Sequence, residues 1–376
     1  MKIYLVRHHA VFADRKPSFG IWREEWITKA LGTQKCVIIC SSFDHYAKRP
    51  RPKPVKPGRI YLPSIPYKHN TSFFRYLDQC LFGAAVFIFL LVRAKSSDTI
   101  FCAYPTQESS LAAILAGRIK KTKVVMDVRD LTLSKLPKPF PLPELFRLYV
   151  QILDEAILAL AGTIIFMSCG LKETFLKKYP NRFHRKKIMV ISNPIEKAAR
   201  KNRRAGQPIR TLAFSGNLNQ SFDFEFLEMY KTGNPPRVRL LIAGGGTQLP
   251  ELKSRFGEAP GIRFYGECSI RRIKQIFCRA DGFFCFYKGS GFQGHLTNKI
   301  LHYLSFRKPI FHNLGRFRDS SGQTMEVGIH TTPLEMFRML KRNTRIRVAA
   351  WPEQEFAYRT FKEKIICCLQ AKSSCG

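Results

Sequence analysis

A glycine-bearing loop that leads into a helix is the stretch of this sequence best suited to chemistry. Residues 291–305 read Gly-Phe-Gln-Gly-His-Leu-Thr-Asn-Lys-Ile-Leu-His-Tyr-Leu-Ser. The first amides of a helix have no partner within the helix, so they can donate to a phosphate, and the helix dipole favours negative charge there. Lys299 would add a full positive charge. The same stretch also fits an ordinary amphipathic helix, with Leu296, Ile300 and Leu304 facing a core.

Two other runs in the second half also end in glycine. The apolar run 211–214 is followed by Ser215, Gly216 and Asn217, and the run 238–243 is followed by Gly244, Gly245 and Gly246. Parallel strands end at one edge of their sheet, so we expect these glycines to gather near Lys299 as a pyrophosphate-binding edge. The sequence contains neither Gly-x-x-x-x-Gly-Lys-Ser/Thr nor Gly-x-Ser-x-Gly, which argues against a P-loop nucleotidase and a nucleophile-elbow hydrolase.

The first half has charged residues in a comparable position. Arg129 and Asp130 follow the apolar run 123–128, and ligands of open α/β sheets bind just beyond the carboxyl ends of the strands. A buried structural ion pair would explain the same two residues. Gly20, in the loop after the first strand, would let a substrate approach the backbone closely, or it would simply permit a turn.

Predicted strands and helices, which must position these residues, alternate along the sequence. We expect strands at about 2–6, 35–40, 59–62, 99–104, 123–128, 163–167 and 188–191, and again at 211–214, 238–243, 262–265, 282–286 and 309–311. Helical patterns separate most of them, which predicts an α/β fold with two doubly wound, Rossmann-like domains facing a cleft. The expected bounds are 1–196 for the first domain, 197–208 for a basic linker, 209–350 for the second domain and 351–376 for a C-terminal helical segment.

The charge is strongly positive and evenly spread. The 376 residues include 63 Lys and Arg against 27 Asp and Glu, a net charge of +36, and residues 1–196 and 197–376 each carry half of it. An even excess favours a protein that works against a polyanion such as an anionic membrane face, although nucleic acid stays open. The proline-rich basic stretch 48–59 is expected to be an exposed arm, either docked on such a surface or solvated as a linker.

Cysteine usage and hydropathy narrow the setting. The eleven cysteines form no Cys-x-x-Cys pair, which favours inert thiols in a reducing cytoplasm over a disulfide framework or a metal site. Residues 1–6 resemble a strand more than a signal peptide. The longest apolar run, 80–92, is shorter than the roughly 18 residues that span a bilayer, so we expect a buried helix, with an interfacial helix as the alternative.

The order of these pieces resembles that of the family 4 glycosyltransferases of the GT-B fold, in the branch that builds bacterial surface polysaccharide on lipid carriers. The matching segments run through nearly the whole chain: 40–45, 127–131, 192–194, 214–218, 241–246 and 297–304. The resemblance implies a retaining, metal-independent, hexosyltransferase-like enzyme without a cofactor, and a C-terminal helix that crosses back to the first domain. The donor would be a nucleotide-diphosphate sugar, with UDP-sugars as candidates, and the acceptor would be lipid-linked or a glycan. The protein would then be cytoplasmic and peripheral on the inner face of the plasma membrane.

The resemblance also implies site residues. Lys299, with amides near Gly216 and Gly294, would stabilise the diphosphate leaving group, while Arg129 and Asp130 would face the reacting sugar. The remaining donor-binding residues would be Gly20, Ser215, Asn217, Gly244, Gly245, His295, Leu296, Thr297, Asn298 and His302. Gly294 and His302 stand where the family often has two glutamates, and Gln220, Ser221 and Asp223 stand where it has an Arg or Lys pair. His302 would hold the nucleotide ribose with a different hydrogen-bond geometry from that of glutamate.

Two other functions compete with sugar transfer. One is a basic nucleic-acid-binding protein, but the aromatic residues lie mostly in apolar strands and helices and not within a basic face. The other is a catalytically inactive, membrane-associated scaffold, which the unusual residues at 294 and 302 would suit. The sugar, nucleotide, acceptor, linkage and oligomeric state cannot be deduced from these patterns.

Overall fold

The structure is a computed structural model. It describes residues 1–10, 23–45, 48–51, 58–69, 72–130, 143–184, 186–195, 208–231, 238–289, 291–342 and 354–370. Gly20, half of the basic stretch 48–59 and nearly all of the linker 197–208 lie outside these residues, as do positions 196, 350 and 351. The predicted domain bounds therefore stay predictions.

The first half forms a parallel sheet of seven strands in the order β5-β2-β1-β6-β7-β8-β9. Its strands are β1 (Ile3–Val6), β2 (Cys36–Ser41), β5 (Arg59–Leu62), β6 (Thr99–Tyr104), β7 (Lys123–Val128), β8 (Thr163–Phe166) and β9 (Lys187–Val190), and a short antiparallel pair, β3 (Phe43–Asp44) and β4 (Arg49–Pro50), lies beside it. The sequence predicted all seven sheet strands and neither member of the short pair. Nearly continuous burial of β1, β6 and β8 reflects helices on both faces.

Helices cover both faces of this sheet. They are α1 (Arg23–Leu31), α2 (Phe73–Arg93), α3 (Gln107–Ile119), α4 (Pro143–Leu160) and α5 (Cys169–Lys178). One apolar core lies between the sheet and α2 to α5, with Phe82, Val86 and Phe175 fully buried in it. A second core lies on the opposite face beneath α1. The predicted buried helix at 80–92 is thus part of α2, but only one side of α2 faces the core.

The second half forms a parallel sheet of six strands in the order β12-β11-β10-β13-β14-β17. Its strands are β10 (Thr211–Ser215), β11 (Arg239–Ala243), β12 (Ile262–Gly266), β13 (Gly282–Cys285), β14 (Ile310–His312) and β17 (Ile329–His330); β15 (Phe317–Arg318) and β16 (Thr324–Met325) form a separate pair. The helices are α6 (Leu249–Phe256), α7 (Ile270–Arg279), α8 (Asn298–Leu304) and α9 (Pro333–Lys341). The sequence pattern predicts a helix over 222–230; the structure has only a 3₁₀ helix there, Glu225–Tyr230, and Phe222 forms a bridge with Tyr287.

The last helix, α10 (Tyr358–Gln370), returns to the first domain, as the sequence predicted. Phe361 and Ile365 of α10 are buried in the core beneath α1. Lys123 Nζ, at the start of β7, donates to the carbonyl oxygens of Cys368 and Leu369 at 2.6 and 3.0 Å. Helix α10 is therefore built into the core of the first domain.

Candidate functional site

Lys299 lies where the glycine-bearing end of β10 meets the first turn of α8. Its Nζ donates to the carbonyl oxygen of Ser215 and lies 4.2 and 4.8 Å from the ring centroids of Phe214 and Phe222. Burial lowers the pKa of Lys299 to about 8. Among the described residues, no carboxylate pairs with this ammonium group. One carbonyl dipole and two aromatic faces thus hold a cation that an anion could still approach.

Glycine is required at the ends of β10 and β11 to make room for this arrangement. A Cβ at Gly216 would lie 1.7 Å from Lys299 Nζ, and one at Gly244 would lie 1.8 Å from the Gly216 carbonyl oxygen. Their amides are already engaged, because Gly216 N donates to Ala243 O at 3.0 Å and Gly244 N to Gly266 O at 2.7 Å. These glycines therefore shape the edge by lacking side chains, and their own amides point into the protein.

Residues 217 and 245 complete this edge. Asn217 is exposed and Gly245 is half-buried. Gly246 packs closely against the pair of loops, since a Cβ on it would lie 2.3 Å from Asn217 Oδ1. The structure thus brings five of the predicted donor-binding residues together with Lys299: Ser215, Gly216, Asn217, Gly244 and Gly245.

Residues 294–295, in the glycine-bearing loop before α8, do not lie beside Lys299 but pack against the first domain. A Cβ at Gly170 of α5 would lie 2.2 Å from the Gly294 carbonyl group, so the two backbones touch. His295 is 5% exposed, and its Nε2 lies 2.9 Å from Thr174 Oγ1, also on α5. Burial lowers the pKa of His295 to about 4. Leu296 is buried in the core of the second domain. Gly294 and His295 therefore contribute to the contact between the domains.

The start of α8 reaches the first domain through one further hydrogen bond. Thr297 is the residue that precedes the helix, and Asn298 is its first residue. Asn193 Nδ2 donates to Asn298 Oδ1 at 2.7 Å, and Arg23 Nη1 donates to Asn193 Oδ1 at 2.9 Å. This chain of contacts connects the Lys299 helix directly to the charged groups of the first domain.

Those charged groups form a compact network at the carboxyl end of β7. Asp127 Oδ2 accepts from Arg23 Nε and from Arg129 Nε, both at 2.8 Å, and Arg129 also pairs with Glu24. Arg23, Glu24 and Asp127 are at most 2% exposed. The neighbouring guanidinium groups hold the pKa values of Glu24 and Asp127 below their usual range, despite burial that acts in the opposite direction. Arg129 is thus part of a buried ion-pair network, the alternative that its sequence position also allowed.

Asp130, the neighbour of Arg129, faces the second domain. It is exposed. Burial is the main cause that raises the pKa of Tyr287, which follows β13, and the charge of Asp130 adds a smaller contribution across the cleft. Of the two predicted catalytic residues of the first domain, Asp130 therefore lies toward the cleft, whereas Arg129 lies within the buried network.

His302 lies one turn beyond Lys299 on α8. Its ring centroid is 5.1 Å from that of Phe277 and 5.8 Å from that of Phe306. Burial, together with the charges of Lys274 and Lys299, lowers the pKa of His302 to about 4. The imidazole is therefore neutral at pH 7 and can offer a ribose hydroxyl only one acceptor nitrogen.

Sequence reasoning missed a second cluster on the first-domain edge. The rings of His8, His9 and His45 stack, with centroids 4.1 Å apart for His8 and His9 and 4.0 Å apart for His9 and His45. His45 Nδ1 lies 2.5 Å from the Tyr67 hydroxyl, and His8 Nε2 lies 2.9 Å from a carboxylate oxygen of Asp78. The sequence did offer a signal for this cluster, because His8 and His9 lie two and three residues after the end of β1. Arg23 and Glu24 were also missed, since nothing in their spacing pairs them with residues 127 and 129.

The described residues contain no group of three His, Cys, Asp or Glu side chains placed to hold a metal ion. No protein-family model matches the sequence, and no curated protein matches it significantly. Solved structures do match over nearly the full length.

HepE from Anabaena, solved with UDP and glucose, superimposes with a TM-score of 0.65 at 13% identity over 99% of this chain and 100% of HepE. Sucrose-phosphate synthase from Thermosynechococcus elongatus gives a TM-score of 0.64 at 12% identity, covering 98% of each chain. The apo form of WaaB, a lipopolysaccharide outer core galactosyltransferase, gives 0.59 at 15% identity, covering 98% of this chain and 99% of WaaB. The two parallel-sheet domains and the returning C-terminal helix therefore have the GT-B fold, as the sequence predicted.

Proposed function

We propose that the protein is a glycosyltransferase that takes a sugar from a nucleotide-diphosphate donor bound at the β10–β11 edge of the second domain. The observation that carries this proposal is Lys299, a partly desolvated cation without a paired carboxylate among the described residues, beside a glycine, Gly216, whose missing side chain makes room for the ammonium group. HepE, which shares the fold, has been solved with UDP and with UDP-glucose. We therefore take a UDP-sugar as the donor.

The proposed chemistry follows from where charge develops. When the bond from the sugar to the diphosphate breaks, negative charge grows on the leaving phosphate, and a fixed cation there stabilises the transition state. Lys299 would provide that charge after its ammonium group turns from Ser215 O toward the phosphate. Asp130 lies toward the cleft and would contact the sugar, while Arg129 would hold the loop in place through Asp127 and Glu24. We propose a retaining reaction that needs no metal, as in family 4 enzymes.

The acceptor and location are part of the same proposal. The net charge of +36 suits an anionic membrane face, so we propose a lipid-linked or polysaccharide acceptor at the cytoplasmic face of the plasma membrane. The fold shared with WaaB, a lipopolysaccharide galactosyltransferase, is consistent with the surface-polysaccharide branch. His302 would bind the ribose through its single acceptor nitrogen.

The proposal is tested by thermal unfolding with UDP, GDP, UMP and UDP-sugars. We expect UDP to raise the melting temperature increasingly with its concentration, and UMP to do so much less because it lacks the β-phosphate. Lys299→Met should weaken UDP binding by about tenfold or more and lower the rate of sugar transfer by about 10²–10³-fold.

A second buried lysine provides the matched control. Lys308 Nζ donates to the carbonyl oxygens of Phe277, Cys278 and Ala280 at 2.6–3.0 Å, so its charge completes the end of α7. Lys308→Met should lower the melting temperature while leaving the UDP-induced shift intact. If UDP and its sugars stabilise neither the wild type nor Lys308→Met, the transferase proposal is wrong, and an inactive scaffold replaces it.

A further inference from the structure

Helix α2 presents an apolar stripe to solvent along its whole length. Phe73, Leu77, Leu81, Ile88 and Val92 repeat at helical spacing on one side, and Phe73, Ile88 and Val92 are 70, 63 and 72% exposed. The opposite side is fixed in the first-domain core through residues such as Phe82 and Leu90. Both faces of α2 are thus apolar, which an ordinary surface helix of a globular domain does not require.

Neighbouring helices extend the stripe into a broader surface. Phe146 of α4 contacts Tyr76 of α2, with ring centroids 4.4 Å apart. The surface, here named the apolar ridge, consists of exposed residues of α2 (Phe73, Phe74, Leu77, Leu81, Ile88, Val92), α3 (Leu115, Ile119) and α4 (Leu145, Leu148, Ile152). A monomeric soluble protein rarely leaves so many large apolar side chains exposed on adjacent helices, so the ridge is suited to contact another apolar phase.

Exposed cations border the apolar ridge. At the ends of α2 these are Lys68 before the helix, Arg93 in its last turn and Lys95 just after it. On the neighbouring helices they are Lys121, which follows α3, and Arg147 in the first turns of α4. Aromatic and aliphatic side chains within a basic border are the pattern of a surface that lies in the headgroup region of an anionic bilayer. A second copy of the chain is a poorer occupant, because it would bring two proteins of charge +36 together.

Contacts on the buried side of α2 determine how this helix could be oriented relative to a membrane. The helix is long and apolar enough to cross a membrane by length and composition alone. However, Asp78 accepts hydrogen bonds from Ser64 Oγ and Ile65 N, at 2.5 and 2.7 Å, and is fully buried. Spanning the bilayer would break these contacts and the core behind them. A helix that keeps these contacts can meet a bilayer only with its exposed side, lying along the surface.

We propose that the apolar ridge docks the first domain on an anionic lipid bilayer, with α2 lying in the plane of the headgroups. The Asp78 contacts place the first turns of α2 beside the ends of β1 and β5, at the cleft edge of the sheet. Docking would therefore put the cleft next to the headgroups, where a lipid-linked acceptor carries its sugar. This inference deepens the proposed function and rests on it for the choice of a membrane.

The test is flotation with vesicles, without any sugar donor. The wild type should bind vesicles of phosphatidylcholine with 30% phosphatidylglycerol, and bind pure phosphatidylcholine much less. The triple variant Phe73→Gln, Phe74→Gln, Leu77→Gln should weaken binding to the anionic vesicles by about tenfold or more. The matched control is Leu334→Gln on α9, an apolar residue that is 48% exposed in the second domain and should bind as the wild type does.

The charge contribution needs its own variant. Arg93→Gln with Lys95→Gln should weaken binding by a few-fold and make it less sensitive to salt. Equal binding of the wild type and the triple variant would overturn the proposal. So would concentration-dependent dimerisation of the wild type that the triple variant abolishes, because the ridge would then be a protein interface. Because no donor is present, either result leaves the transferase proposal to be judged separately by UDP binding.

Discussion

The two sheet edges that face the cleft hold their charges in opposite ways. On the first-domain edge, three arginines (Arg7, Arg23 and Arg129) pair with the carboxylates of Glu24 and Asp127 in a largely buried network. On the second-domain edge, Lys299 has one carbonyl oxygen and two aromatic rings. Each guanidinium group of that network thus has a carboxylate partner, whereas no carboxylate among the described residues pairs with Lys299.

This difference indicates a division of labour. Buried charges that are paired fix a geometry, because moving either partner leaves the other desolvated and alone. A buried cation without a carboxylate partner can still attract an anion. Its burial without such a partner disfavours the charged form, which is why the pKa of Lys299 is lowered. The first edge is thus suited to position a substrate, and the second to stabilise charge that develops on one.

The largest expected effect on stability comes from removing a carboxylate from the ion-pair network of the first domain. Asp127→Asn would leave Arg23 and Arg129 facing an amide, and we expect a loss of about 3–5 kcal/mol in the free energy of unfolding. Lys299→Met should cost little or raise stability, because the protonated lysine is disfavoured by burial in the folded state. Urea denaturation at pH 7 measures both. Equal losses in the two variants would contradict the proposed difference between the edges.

Acid unfolding checks the same network. The pKa values of Asp127 and Glu24 are lowered in the folded protein, so their contribution is present above the normal carboxylate range and is lost as pH falls through the folded-state values. The wild type should therefore lose stability progressively below about pH 4. Asp127→Asn should show a shallower loss over that range, because one of the two carboxylates no longer titrates.

A smaller expected effect concerns the second-domain edge, where we predict that the affinity for UDP depends on the protonation of Lys299. Lys299 has a pKa of about 8, so above that pH the free protein increasingly loses the charge that would attract a diphosphate. UDP is already fully ionised there, because its second phosphate pKa is about 6. We expect the affinity for UDP to fall by about tenfold between pH 7 and pH 9.5.

Lys299→Arg supplies the control for this pH profile. A guanidinium group stays protonated across the range, so UDP binding to this variant should depend little on pH, whatever its absolute affinity. Isothermal titration calorimetry at several pH values gives the comparison. An identical decline in the wild type and Lys299→Arg would show that another group titrates and that Lys299 does not set the affinity.

Much of this molecule could be predicted from its sequence, for identifiable reasons. Apolar runs separated by helical patterns predicted all seven strands of the first sheet and all strands of the second except β17, and the glycines after β10 and β11 predicted their convergence on Lys299. Glycine is informative here because any side chain at position 216 would collide with the lysine. The returning helix α10 came from the family resemblance and not from a local pattern.

The rest depended on contacts that spacing does not encode. Arg129 was visible at the end of a strand, but its partner Glu24 lies 105 residues away, and no pattern pairs them. Gly294 and His295 lie in the loop that leads into the Lys299 helix, yet they pack on α5 because Gly170 allows the two backbones to touch. The hydropathy of residues 80–92 indicated burial but could not show that α2 is apolar on both of its sides.

The smallest expected effect concerns the link between the two edges. The Asn193–Asn298 hydrogen bond joins the network around Arg23 to the first turn of the Lys299 helix. A double-mutant cycle with Asn193→Ala and Asn298→Ala should give a coupling free energy of about 1 kcal/mol in urea denaturation. Asn193→Ala alone should cost more than Asn298→Ala, because it also removes an acceptor from the buried Arg23, whereas Asn298 is exposed to water. A coupling free energy near zero would mean that this hydrogen bond does not position the two edges, and contacts such as those of Gly294 and His295 with α5 would then set their separation.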